Sequence, residues 1–96
     1  LNGGPLFRFT EAVSFQIPCD TQAEIDHYWD ALSAGGDPKA QQCGWLKDKF
    51  GVSWQVFPAV LPRLITDPAT AARVMPLMMS MTKLDLAALQ AAADGN

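Results

Sequence analysis

The sequence is poor in the residues that build most catalytic and metal centres. It has one histidine, His27, and two cysteines, Cys19 and Cys43. One imidazole excludes multi-histidine metal sites, and two distant cysteines form neither a zinc knuckle nor a redox C-x-x-C motif. His27 falls just outside the apolar stripe of a predicted helix and is interpreted as a surface residue. Each cysteine falls in a predicted strand, so the two could be neighbours, but buried thiols acting as small apolar side chains are favoured.

Motifs for phosphate binding and nucleophilic catalysis are missing as well. No serine occupies a G-x-S-x-G turn, and neither Gly3-Gly4 nor Gly35-Gly36 opens a helix as a phosphate-binding loop does. These absences disfavour serine hydrolases, nucleotide-binding enzymes and enzymes that use S-adenosylmethionine. The sequence therefore names no catalytic residue.

Positive charge is scarce, and long apolar runs are absent. Seven Lys and Arg stand against ten Asp and Glu, a net charge of -3, and no basic cluster suggests a nucleic-acid partner. No apolar run reaches the roughly 20 residues of a membrane span, and the first residues lack the features of a signal peptide. With 49% apolar and 18% charged residues, we predict one small cytoplasmic domain over residues 1–96, without a membrane partner.

Local signals predict one helix in the first half of the chain and two in the second half. Thr21 and Glu24 form a capping box, which an apolar stripe at helical spacing follows. The stripe consists of Ile25, Tyr28, Trp29 and Leu32. Asp67-Pro68 is typical of a second helix start, Pro76 is expected to kink that helix, and an alanine-rich third helix follows.

Two segments alternate apolar and polar residues, which predicts half-buried strands. The first carries Ser14 and Gln16 on its polar face, and Pro18 is expected to end it. The second belongs to a predicted hairpin over residues 43–57, in which Ser53 and Gln55 share the polar face. The charged turn of the hairpin, residues 47–49, is interpreted as solvated.

The two polar faces are the main candidate for a functional site. If the strands lie in one sheet, the four polar side chains line a concave surface that can orient a small ligand, with a tryptophan near its edge. The predicted ligand-binding residues are Ser14, Gln16, Trp45, Ser53 and Gln55. The alternative is that the polar side chains merely face solvent.

Four methionines cluster in the second half of the chain. They are Met75, Met78, Met79 and Met81. At helical spacing they are interpreted as core or dimer-interface residues, and a flexible binding surface is the alternative.

Several segments resemble one known family. They are FTEAVSF at 9–15, EID and YW within 24–29, GG at 35–36, RVM at 73–75 with the stretch that follows, and above all CGWLKDKFGVSWQ at 43–55. Together they resemble the PhnB-like proteins of the glyoxalase/bleomycin-resistance (vicinal oxygen chelate) superfamily.

The resemblance implies an α+β fold of βαβββ modules, in which one helix covers a mainly antiparallel sheet, followed here by C-terminal helices. Two modules in one chain usually cup a cleft, which holds a divalent cation in metal-dependent relatives. This chain is similar to the second module alone, with residues 1–6 as the remnant of a preceding strand and residues 66–93 as a helical tail. A half-cleft must be completed, so the resemblance implies a homodimer or a fragment.

The resemblance also bears on metal binding. Metal-dependent members carry a glutamate after a D-x-x-G turn and a histidine early in the first strand. Asp48 and Gly51 match the turn, but the glutamate position falls on Gln55 and the histidine position on Val13 and Ser14. A neutral amide is a weak ligand for hard divalent ions, so we expect no metal or other cofactor.

Three functions remain open from the sequence. The leading hypothesis is a metal-free protein that binds a small molecule in a cleft completed by dimerisation. The alternatives are a glyoxalase-type lyase or isomerase that uses a divalent metal, and a dimerising scaffold without a ligand. Similar proteins are often described as 3-demethylubiquinone methyltransferases, a function that the missing glycine-rich loop disfavours.

Overall fold

A computed structural model of the protein describes residues 13–95. The elements in chain order are β1 (Ser14–Cys19), α1 (Gln22–Ser33), a 3-10 turn (Pro38–Ala40), β2 (Trp45–Lys47), β3 (Ser53–Pro58), α2 (Leu61–Leu64), α3 (Pro68–Met79) and α4 (Leu86–Ala93). The predicted α+β fold with C-terminal helices is confirmed. The predicted strand remnant at residues 1–6 lies outside the described residues. Within residues 13–95, no helix combines the length and apolarity needed to cross a bilayer.

The sheet has three strands in the order β1-β3-β2. The central strand β3 pairs in parallel with β1 and antiparallel with β2. A helix connects β1 to the hairpin of β2 and β3, so the topology is compatible with a βαβββ module. The described sheet is therefore mixed, whereas the resemblance implied a mainly antiparallel one; β1 and β3 are parallel because the chain crosses from one to the other through α1.

Helix α1 covers one face of the sheet. Thr21 caps it, with its Oγ1 accepting from the N–H of Glu24 at 3.2 Å. Ile25 and Trp29 are buried in one core cluster, and Tyr28 at the edge of the stripe stays 38% exposed. The buried residues that the sheet contributes to this cluster are Cys19, Leu46 and Val56. The predicted packing of the apolar stripe on the apolar face of the sheet is confirmed.

Strand β1 continues through Pro18 to Cys19, so the expectation that Pro18 ends it was wrong. Proline has no N–H to donate, which makes it costly in the middle of a sheet but tolerated on an edge strand. β1 lies at one edge of the described sheet, and its last carbonyl, that of Cys19, accepts from the N–H of Ala59 at 2.7 Å.

Helices α3 and α4 form a second core cluster around Val74, Leu84 and Leu89. Asp67 caps α3, with its carboxylate accepting from the N–H of Thr70 at 3.0 Å, which confirms the predicted start. Pro76 lies inside α3, which ends at Met79. Of the four methionines, two pack on the cluster and two are exposed: Met78 and Met81 pack, and Met75 and Met79 are 37% and 55% exposed.

Two polar side chains of α1 hold the segment that leads into α4. The Nε2 of Gln22 donates to the carbonyl of Leu84 at 3.1 Å, and its Oε1 accepts from the N–H of Leu86 at 2.8 Å. Leu86 opens α4, so this N–H has no partner within the helix. Asp26 adds an ion pair with Lys83 at 2.9 Å. The hydrogen bond from Gln22 and the contacts with Lys83 lower the pKa of the Asp26 carboxyl.

Replacing Gln22 by alanine is expected to lower the free energy of unfolding by about 1 kcal/mol, because the Leu86 N–H and the Leu84 carbonyl lose their partner. Urea unfolding followed by tryptophan fluorescence measures this change. Gln90→Ala, at an exposed position of α4, is the matched control. Equal midpoints for the two variants would show that the Gln22 bonds do not stabilise the fold.

Candidate functional site

A tight turn before β2 shapes the site. Gln42 and Trp45 exchange two backbone hydrogen bonds of 3.0 and 2.8 Å across Cys43 and Gly44. Both central residues have positive φ, 53° and 83°, as in a type I′ turn. Cys43 therefore lies in a turn, and its assignment to a strand was wrong. The Cys43 and Gly44 N–H groups donate to two carbonyls of the segment after α3, so this turn joins the hairpin to the helical tail.

The structure brings the predicted polar residues together. In the parallel pair, Ser14 lies opposite Ser53 and Gln16 opposite Gln55. In the antiparallel pair, Trp45 lies opposite Gln55. Because side chains alternate along a strand, all five share the face of the sheet that points away from α1. Gln55 also donates through Nε2 to the Oγ of Ser14 at 2.8 Å.

One side of this face opens into a cleft of about 430 Å³ between the sheet and the helices α2 and α3. We call it the apolar cleft. Gln16, Gln55 and Trp45 form its polar and aromatic wall. Its apolar wall consists of Phe57, Leu61, Ile65 and Met78. Its size falls within the range of ligand sites, which is roughly 300–1,000 Å³.

A second cleft of about 450 Å³ lies against the other part of the same face. We call it the basic cleft, because Lys39 and Lys47 line it together with Gln42 and Ser53. Ser53 is fully buried, and its hydroxyl has no hydrogen-bond partner in the part of the chain that the structure describes. Ser14, held by Gln55, is not among the described residues that line either cleft.

Three side chains, Cys43, Trp45 and Met79, line both clefts. The Cys43 Sγ lies 3.6 Å from the Met79 Sδ.

The two cysteines differ in burial. Cys43 is half-buried, whereas Cys19 is buried in the core beneath α1, and both thiols are free. Burial raises the pKa of the Cys19 thiol, with smaller contributions from Glu24 and Asp20, so this thiol is held in its unreactive form. Both thiols were predicted to be buried; this is confirmed for Cys19, whereas Cys43 is only half-buried.

Comparison with known proteins gives a family. The family model described as 3-demethylubiquinone-9 3-methyltransferase matches residues 1–57. The chain belongs to this family. It is a family of glyoxalase (vicinal oxygen chelate) type, which agrees with the superfamily that the sequence resembles. A comparison with curated proteins gave no significant match. The match includes the predicted polar residues, while Leu61, Ile65 and Met78 of the apolar wall lie beyond it.

The family's fold raises the question of a divalent metal. The positions where metal-dependent relatives of the superfamily are expected to carry ligands fall on Val13 or Ser14 and on Gln55, and of these Ser14 and Gln55 meet in space. They are a hydroxyl and an amide that hydrogen-bond to each other, and hard divalent ions prefer carboxylate oxygen. Within residues 13–95, no three His, Cys, Asp or Glu side chains are grouped as a metal site requires. These side chains do not fit a divalent ion.

Asp48 organises the turn between β2 and β3, so the interpretation of this turn as merely solvated was wrong for that residue. Its Oδ1 accepts from the N–H groups of Phe50 and Val52 at 2.9 and 3.0 Å, and its Oδ2 accepts from the indole Nε1 of Trp54 at 2.9 Å. Partial burial opposes ionisation of this carboxyl, but the hydrogen bonds outweigh it, so the pKa of Asp48 is lowered.

Sequence reasoning missed Lys39, and it named Met79 only within the alternative of a flexible binding surface. Lys39 lies in the 3-10 turn, where the Asp37 carboxylate accepts from its N–H at 2.9 Å, and Met79 ends α3. No periodicity connects Lys39 with Ser53 or Met79, since these residues are far apart in sequence. The proline and aspartate around Lys39 indicate only a turn.

Proposed function

We propose that the protein binds a small organic molecule in the apolar cleft, without a metal ion, and that a second copy of the chain completes the site. The observation that carries this proposal is the placement of the Gln16 and Gln55 amides beside Trp45 on the wall of the apolar cleft. Ligand sites typically combine apolar walls with a few polar groups that orient the ligand. Membership in a glyoxalase-type family agrees with a small-molecule ligand.

The chemistry of the cleft favours binding over metal-dependent catalysis. Amide groups donate and accept hydrogen bonds but do not take up protons near neutral pH, so Gln16 and Gln55 suit orientation of a ligand and not general acid–base catalysis. The hydrogen bond to Ser14 fixes the Gln55 amide before any ligand arrives, which lowers the entropic cost of binding. Within the family we propose a PhnB-like, cytoplasmic member rather than a methyltransferase.

Exposed apolar side chains support assembly with a second copy. Phe15 packs against Trp54, with ring centroids 5.2 Å apart and ring planes tilted by 38°, and yet remains 53% exposed on the edge strand β1. Val13 and Met79 are 65% and 55% exposed. Of these, Met79 lines the apolar cleft, where a second copy that completes the cleft would cover it.

Replacing Gln55 by alanine is expected to weaken ligand binding at least about tenfold, because a buried polar group of the ligand loses its hydrogen-bond partner. The measurement is ligand-observed NMR with a library of small aromatic and polar fragments, followed by titration of the compounds that bind. Gln90→Ala controls for loss of an amide outside the cleft. Unchanged affinities for every binding fragment in Gln55→Ala would overturn the placement of the site.

Native mass spectrometry of the purified chain tests the other two parts of the proposal together. We expect a dimer of twice 10.4 kDa without a bound metal. A divalent ion retained in the dimer would instead support the lyase or isomerase hypothesis. A monomer would contradict completion of the cleft by a second copy.

A further inference from the structure

The two clefts are adjacent compartments of one surface. They share Cys43, Trp45 and Met79, so these residues lie at the boundary between the two spaces. Met79 is 55% exposed at the end of α3, and methionine changes rotamer at low cost. A ligand longer than one compartment can therefore extend along Trp45 into both.

The basic cleft carries the positive charge of Lys39 on a chain whose net charge is -3. Lys39, an exposed lysine of the 3-10 turn, lines it beside Ser53. A charged side chain at a concave wall raises the local concentration of ions of the opposite sign. The compartment is therefore suited to an anionic group.

A buried hydroxyl at the same wall supports a polar occupant. Ser53 lies opposite Lys47 in the β2–β3 pairing, and its Oγ is buried with no hydrogen-bond partner among residues 13–95. An unsatisfied buried polar group is destabilising, and a native protein with one commonly has a ligand or a water that it binds. Ser53 is fully buried, so a lining side chain must move before the hydroxyl can donate to an anion.

We infer that the joined clefts take an organic anion with an apolar body, such as an aryl-alkyl carboxylate. Its anionic group lies between Lys39 and Ser53 in the basic cleft, and its apolar body passes Trp45 into the apolar cleft. This inference rests on the proposed function, since it names the ligand class of the same site. A small inorganic anion does not account for the apolar wall of Phe57, Leu61 and Ile65 next to the lysines.

The test compares three carboxylates with their primary amides, which have nearly the same shape without the charge. The probes are phenylacetate, 3-phenylpropionate and 4-phenylbutyrate, titrated into the full chain by NMR and by tryptophan fluorescence. We expect at least one acid to bind about fivefold or more tighter than its amide, and added salt to weaken the acid alone.

Variants locate the anionic group. Lys39→Gln is expected to reduce the affinity of that acid about threefold and leave the amide unchanged, the size expected for an exposed charge pair. Lys39→Arg should retain most of the affinity. Lys49→Gln, which removes an exposed lysine outside both clefts, is the control. Ser53→Ala is expected to weaken the acid more than the amide, with circular dichroism confirming that the variant folds.

The outcomes separate this inference from the proposed function. Equal affinities of acids and amides, both lost in Gln55→Ala, would overturn the anion preference and support the apolar cleft as a site. An acid preference that Lys39→Gln does not reduce would also overturn the inference. Failure of all six probes to bind would contradict the inference, while fragments that bind and depend on Gln55 would still support the proposed function.

Discussion

Replacing Gly44 by alanine is expected to lower the free energy of unfolding by about 3 kcal/mol. Two independent effects contribute. Gly44 has a φ of +83°, which costs an L-residue about 1–2 kcal/mol, and an added Cβ would lie 2.8 Å from the carbonyl oxygen of Val56 and 3.0 Å from the Leu84 Cδ1. The Val56 N–H donates to the Gly44 carbonyl at 2.8 Å, so the turn cannot shift away without losing this hydrogen bond.

Gly51 offers a control with almost the same backbone. Its φ is +84°, and no atom lies within 4 Å of an added Cβ. Gly51→Ala is therefore expected to cost only about 1 kcal/mol. Guanidinium unfolding of both variants separates the cost of the conformation from the cost of the close approach. A Gly44→Ala variant no less stable than Gly51→Ala would show that the turn does not pack as closely against β3 and Leu84 as the structure shows.

Replacing Asp48 by asparagine is expected to lower the free energy of unfolding by about 2 kcal/mol at neutral pH. The carboxylate accepts from two backbone N–H groups on one oxygen and from the Trp54 indole on the other. Asparagine has one acceptor oxygen, so its amide nitrogen would face an N–H donor. Urea unfolding gives the difference, and Asp30→Asn, at an exposed position of α1, controls for the loss of one negative charge.

The pH dependence of stability gives a second measure of Asp48. Its pKa in the folded protein is lowered from the ordinary value of an aspartate in the unfolded chain. The stabilisation from its ionised form is therefore fully present above the unfolded pKa and is lost as pH falls through the folded pKa. Asp26 contributes with the same sign. From about pH 5 downward the wild type is expected to lose more stability than Asp48→Asn. Parallel pH profiles of the two proteins would contradict the role of Asp48.

Much of the fold was predictable because its signals are local. The capping residues Thr21 and Asp67 each bond to an N–H three residues later, so a short window of sequence contains the whole interaction. The alternation along β1 and β3 likewise reports which side chains share a face, since the period of a strand is two. For this reason Ser14, Gln16, Ser53 and Gln55 could be assigned to one face before their strands were known to be neighbours.

Other features depended on contacts between distant segments. Pro18 remains in a strand because β1 lies at an edge of the described sheet. The position of β1 within the sheet cannot be read from the sequence of β1 itself. Cys43 adopts positive φ in a turn whose N–H groups are satisfied by carbonyls almost forty residues later. Asp48 looked like a solvated charge because its bond to Trp54 is possible only once the hairpin has closed.

The sequence by itself determined the helices α1, α3 and α4, the two faces of the strands and the lack of acid–base side chains on the polar face, because each depends on residue type and short-range spacing. Only the tertiary structure decided that these faces form the walls of two clefts, that Lys39 and Ser53 share one of them, and that Trp45 and Met79 lie between them. The physical reason is that a cleft is formed by side chains brought together by packing, and packing joins residues that no local pattern connects.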